Sequence, residues 1–182
     1  MLVEMRGITK DFGPVRAVDN VDFTIKSSEI VGLLGENGAG KSTLMNVLAG
    51  SYPATSGEIF INRHKVYITN ARVANQYGIR FIHQELNLCN DLRVFENMFL
   101  GDEITKRFGM LNRKEMIDRC NKVFRRMKVN IDPCALVADL QAAERQLVEI
   151  AKALLFKCEL VIMDEPSTAL STREIENLFS IM

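Results

Sequence analysis

Gly35-Glu36-Asn37-Gly38-Ala39-Gly40-Lys41-Ser42-Thr43 spaces its glycines, a lysine and two hydroxyls as G-x-x-x-x-G-K-[ST]. Each residue type has a chemical reason to be there. Glycines let the backbone curl until several N–H groups point at one anion. The N-terminus of the helix that follows adds its positive end. The lysine ammonium reaches terminal phosphate oxygens as a point charge, and the Ser42 hydroxyl is a hard ligand for Mg²⁺. The chemistry expected is binding of a polyphosphate with its metal.

A second cluster lies far along the chain, where the apolar run ELVIM ends on Asp164 and Glu165. Taken alone, the two acids read equally well as caps of the helix that follows. Beside a phosphate loop they read differently. A carboxylate at a neighbouring strand end can hold the metal, which suits Asp164. Glu165, facing another way, can polarise the attacking water.

These groups need elements to position them. VEMRGIT and VDFTI alternate as strands, with FGPV as the turn between them. EIVGLL reads as a short buried strand entering the glycine-rich loop. TLMNVLAG continues as a helix closing at Gly50. EIFIN is a further strand, ARVANQYG a short helix ending at Gly78, and IRFIHQE a strand. From about residue 89 to 139 the pattern turns to helices and loops. In LNRKEMIDRCNKVFRRMKVN, Met116, Cys120, Val123, Phe124 and Met127 share one face, the basic residues form a solvated face, and Asp132-Pro133 breaks the helix. AAERQLVEIAKALLF is amphipathic, with Leu147, Ile150, Ala151 and Leu154 together. ELVIM reads as a strand buried on both faces. Strands alternating with helices predict an α/β fold with a mostly parallel sheet.

Bulk properties narrow the function. The 182 residues carry 23 basic and 23 acidic side chains, so no overall charge excess draws the chain to nucleic acid or to an anionic membrane. Four scattered cysteines and two histidines lack paired zinc spacing and suggest a reducing compartment. The opening MLVEMRGITKDFG does not read as a secretory leader, and no run approaches the ~20 apolar residues that cross a bilayer.

The phosphate loop with its flanking elements defines a P-loop NTPase. His83-Gln84-Glu85-Leu86 at a strand end, the helical insert, Leu140–Gln146 running into VIMDEPSTAL, and Phe12 in KDFGPV make the whole chain resemble the ATP-binding subunit of an ABC transporter. HQELNL, ENMFLG and QLVEIAKALL resemble the monosaccharide importers of the ribose and galactose type. The resemblance implies one ATP-binding domain, with residues 1–88 and 140–182 as its core and 89–139 as a helical subdomain. It implies ATP and Mg²⁺ as cofactors. Phe12 would stack on adenine, Gly35 to Thr43 would hold the phosphates, and Ser42, Gln84 and Asp164 would attend the metal. Lys41, Gln84 and Glu165 would serve hydrolysis. Implied partners are transmembrane permease subunits, a second ATP-binding domain and, indirectly, a sugar-binding protein, at the cytoplasmic face of the membrane. A soluble ABC-type regulator and a non-catalytic remnant are the competing readings.

Two departures stand out. The family signature L-S-G-G-Q reads here Leu140-Gln141-Ala142-Ala143-Glu144, which should weaken its contact with the γ-phosphate of a facing domain. The sugar importers resemble two fused halves, the second with a weak phosphate loop that this signature would serve. The family also continues past the acid pair with a strand ending in a histidine. The expectation is therefore a domain incomplete at its C-terminus, with EIVGLL and ELVIM unable to take their normal places in the sheet.

Overall fold

The computed structural model describes residues 1–82 and 87–164. The described residues pack as two compact units, one formed by Met1–Phe81 with Cys158–Ile162 and the other by the described part of Ile82–Lys157 with Met163 and Asp164.

The first unit begins with the expected hairpin. Strands β1 (Val3–Phe12) and β2 (Val15–Ile25) pair antiparallel around Gly13-Pro14. β1 also pairs with β3 (Ser56–Ile61), and β3 with the short β4 (His64–Val66), giving the order β2-β1-β3-β4. The register of β1 slips between Met5 and Ile8, and with it the alternation of buried residues breaks: Val3 and Met5 are buried, then the adjacent Ile8 and Thr9. Helix α1 (Lys41–Ala49) buries Leu44, Val47 and Leu48 in the same core as Met5, Ile8 and Val18 and ends at Gly50. Helix α2 (Ala71–Gln76) is capped at its start by the Asn70 side chain, which accepts from Val73 N–H.

Strands β5 (Ile79–Ile82) and β6 (Leu160–Met163) make a separate two-stranded sheet. Leu160 N–H donates to Gly78 O and Asp164 N–H to Ile82 O, so the two strands advance in step and run parallel. The mostly parallel sheet expected from the alternation is thus confined to this pair, and the larger described sheet is antiparallel. β6 is also less buried than its apolar run suggests, with only Ile162 fully inside.

EIVGLL is not a strand. Residues 29–34 pair with no described strand, and Ile30 and Leu34 are 71% and 92% exposed. A strand is a pairing: β-branched and apolar residues favour it only when a neighbour satisfies the ladder and covers the side chains.

The second unit is helical: α3 (Val94–Met98), α4 (Arg113–Met127) and α5 (Ala142–Leu155). α4 buries Met116, Cys120, Phe124 and Met127, as the periodicity predicts, with Val123 half-buried. It stops earlier than Asp132-Pro133, at Lys128, whose left-handed backbone returns its N–H to Phe124 and Arg125 carbonyls. α5 buries Leu147, Ile150 and Ala151, while Leu154 is half-buried. Phe99 and Phe156 meet edge to face at 5.8 Å.

Candidate functional site

The phosphate-type loop is a tight turn feeding directly into α1. Ala39 N–H donates to Glu36 O at 3.2 Å, and Leu44 N–H to Gly40 O at 2.9 Å. Gly40 stands just before the helix at φ 84°, and a Cβ there would lie 2.3 Å from Ala17 O. Gly40 is therefore required twice, for its left-handed backbone and for the close approach of β2. Gly38 has φ 83° but open space around it, so only its backbone needs glycine.

Lys41 Nζ donates to Gly35 O and Glu36 O at 2.8 Å each, which ties the ammonium to the first two residues of the loop. Ser42 is exposed in the first turn of α1. No acidic side chain occupies that turn, so nothing on the helix itself offsets its positive end. Asn37 and Ala39 are exposed on the same loop, and Thr43 is half-buried behind it. Backbone donors, an ammonium and a hydroxyl thus stand together at one helix start, a donor set suited to a phosphate chain and a hard cation.

Phe12 is half-exposed at the end of β1, on the hairpin whose Ala17 carbonyl meets Gly40. Two neighbours that the sequence reading passed over brace it. Tyr52 lies edge-on with ring centroids 5.1 Å apart, and Lys10 Nζ sits 5.0 Å from both rings while donating to Pro53 O. Separation in sequence hides Tyr52, which only the return of the chain after α1 brings back to β1; Lys10 stands two residues from Phe12 on the same strand.

Asp164 directly follows β6, in the second unit, and its N–H is held by Ile82 O at 3.2 Å. Gln84 and Glu165, with His83, lie outside the described residues. Beyond the stretch containing Gln84, Asn87 N–H donates to Glu149 Oε1 on α5 at 3.0 Å. Asn97, fully buried on α3, is a further residue the sequence reading missed. Its Oδ1 accepts Cys89 N–H at 2.7 Å, and its Nδ2 donates to the carbonyls of Cys89, Leu92 and Arg93. A buried asparagine that closes a loop in this way leaves no periodic trace in a sequence.

The signature-like segment has its own internal bonding. Gln141 N–H donates to Glu144 Oε2 at 2.9 Å, and Arg145 donates to Leu140 O and Ala138 O. The carboxylate of Glu144 therefore already serves the start of α5.

The fold and this loop define an ATP-binding cassette. A family model described as ABC transporter matches residues 18–168, and the chain belongs to that family. It is 47% identical over its whole length to the "Ribose import ATP-binding protein RbsA" of Lactococcus lactis subsp. lactis (strain IL1403), and 41% identical to that of Bacillus subtilis (strain 168). In both comparisons the chain spans 37% of the relative's length. Among solved structures, a nucleotide-free ATP-binding cassette from an ABC transporter superimposes with a TM-score of 0.82 at 23% identity, over 98% of this chain and 74% of that one. A dimeric cassette in a post-hydrolysis state, bound to ADP and Pi, matches at 25% identity and a TM-score of 0.80, over 98% of this chain and 80% of that one.

Proposed function

We propose that this chain is the ATP-binding part of an ATPase that, in its full-length context, hydrolyses ATP to energise import of a monosaccharide, with ribose as the leading candidate. The observation that carries the reading is the loop itself: Gly40 seated on the β2 carbonyl, Lys41 across the loop's first residues, and a helix start with no acid of its own. Relatives named as ribose import ATP-binding proteins support the sugar.

In this reading the backbone N–H groups of Gly38 to Ser42 hold the β- and γ-phosphates, and Lys41 exchanges its two carbonyl bonds for phosphate oxygens. Phe12, steadied by Lys10 and Tyr52, receives the adenine face. Ser42, Gln84 and Asp164 would hold Mg²⁺, which would supply positive charge to offset that of the phosphoryl group. Glu165 orients the attacking water. Transmembrane permease subunits, a second ATP-binding domain and a sugar-binding protein are the partners proposed, at the cytoplasmic face of the membrane. Residues 1–88 and 140–182 form the proposed core, with 89–139 as the subdomain facing the permease.

The Glu144 contact favours a division of labour. An α5 start that already holds its own carboxylate is a poor receptor for the γ-phosphate of a facing domain. The competent site is then the one built on Lys41, with its signature supplied from elsewhere. Changing Gln141 to Ser in the full assembly should leave turnover nearly unchanged; a large rise overturns this part.

The test of the main reading is thermal unfolding with and without Mg-ATP. Ligand at 100 times its dissociation constant should add about 2.7 kcal/mol, and Lys41→Ala should abolish the shift. No shift in the parent chain, or an equal shift in the variant, removes the claim.

A further inference from the structure

Between α3 and α4 the chain makes a small, rigid hairpin whose construction the nucleotide chemistry does not use. Thr105 and Leu111 form an antiparallel bridge. Asn112 N–H donates to Ile104 O and Lys106 N–H to Met110 O, both at 2.7 Å, and Gly109 N–H closes the tip on Lys106 O at 3.2 Å. At this tip stands Phe108, 87% exposed, with Met110 at 62% and Leu111 at 44% beside it. Phe108 is held at φ 67°, a left-handed backbone that glycine would adopt more cheaply. The fold therefore accepts two local costs, an aromatic ring in water and a strained backbone, to hold this ring outward.

The surroundings indicate what the ring meets. Residues 104–114 contain Lys106, Arg107, Arg113 and Lys114 and no acidic side chain, in a chain whose net charge is zero. All four basic residues are exposed. Arg107 lies 5.5 Å from the Phe108 ring centroid, so the charge and the ring are presented together. Of the acids flanking the hairpin, Glu103 accepts Gly101 N–H and Glu115 accepts from Asn112 and Arg119, while Asp102 stands exposed at its base, away from the basic tip. The other exposed apolar stretch, Ile30 to Leu34, lacks such a setting. Its nearest charged neighbours in sequence are the acids Glu29 and Glu36.

We propose that the 104–112 hairpin is a membrane-surface contact: Phe108 and Met110 enter the interfacial layer of an anionic bilayer while Lys106 and Arg107 hold its headgroups. A projecting aromatic flanked by basic residues matches the two terms of interfacial binding, apolar burial and attraction to anionic lipid. This contact is made by the chain itself and is independent of any permease and of the nucleotide reading.

The test is flotation of the 182-residue chain with vesicles of phosphatidylcholine alone or mixed with phosphatidylglycerol. Binding should require phosphatidylglycerol, fall with added salt, and weaken about fivefold for each of Lys106→Gln and Arg107→Gln. Phe108→Gly is the decisive variant. It relieves the left-handed strain, so the melting temperature should rise or hold, yet vesicle binding should be lost. Leu34→Ser should leave binding unchanged. Binding that survives Phe108→Gly, or that Leu34→Ser abolishes, overturns the proposal. Absence of any phosphatidylglycerol-dependent binding also overturns it, and hairpin-dependent capture by a lipid-free permease would assign the tip to a protein surface instead.

Discussion

The approach of β2 to the phosphate loop yields a sharp comparison between two glycines of the same motif. Gly38 and Gly40 have nearly the same backbone, at φ 83° and 84°. An alanine at either position carries the same left-handed cost of about 1–2 kcal/mol, and the same partial offset of about 0.4–1 kcal/mol from a stiffer unfolded chain. These contributions cancel between the two variants. What remains is space: nothing lies within 4 Å of a Cβ at Gly38, whereas a Cβ at Gly40 meets Ala17 O at 2.3 Å and Val18 Cγ2 at 3.2 Å. Restoring an ordinary contact requires a shift of about 1 Å between loop and strand, the kind of overpacking that costs about 1–3 kcal/mol. Gly40→Ala should thus be less stable than Gly38→Ala by about 1–3 kcal/mol in urea denaturation. For a chain of this size a 2 kcal/mol difference is about 4–8 °C in melting temperature. The same displacement moves the N–H groups at the start of α1, so Gly40→Ala should also lose the Mg-ATP shift while Gly38→Ala keeps part of it. Equal stabilities for the two variants, or a full nucleotide shift in Gly40→Ala, would refute the reasoning.

Other expectations follow from features away from the loop. Asn97→Ala should cost about 1–3 kcal/mol and speed amide exchange at Cys89, because the loop loses its partners at once; unchanged exchange at Cys89 would mean the loop holds itself. Burial pushes the Cys120 thiol up to about 12. The unfolded chain then loses that proton first, so stability should fall as pH rises above about 8.5, by about 1.4–2 kcal/mol at pH 10. Cys120→Ala should flatten this decline, and an identical slope in the variant would reject the assignment. Leu34→Ser and Ile30→Thr should change stability by less than about 0.5 kcal/mol yet reduce self-association seen by light scattering, since both side chains already stand in water; a large loss of stability would mean that the 29–34 segment is packed.

What was legible in the sequence depended on how local its cause was. The tight turn into α1 could be read because its glycines and the helix start fall within nine adjacent positions. The faces of α4 and α5 could be read because a helix repeats its burial every turn. EIVGLL reads locally as a strand because its apolar character states a preference, but pairing depends on another segment, and the expectation that it could not take its normal place in the sheet agrees with its unpaired state. The end of α4 was misplaced because Lys128 adopts a backbone more usual for glycine, and nothing in its side chain announces that. β4 is three residues long, too short for alternation to register. The contact of Tyr52 with Phe12 joins positions that only the folded chain brings together, and the Asn97 clamp leaves no periodic mark.

The Asn97 clamp also has a mechanical consequence. One amide grips the loop at Cys89, Leu92 and Arg93 while its backbone belongs to α3, and Asn87 is fastened separately to Glu149 on α5. Residues 87–98 therefore behave as a stiff bracket bolted at both ends. Asn87 is thereby linked to α5 through Glu149, and to α3 through the loop that Asn97 closes.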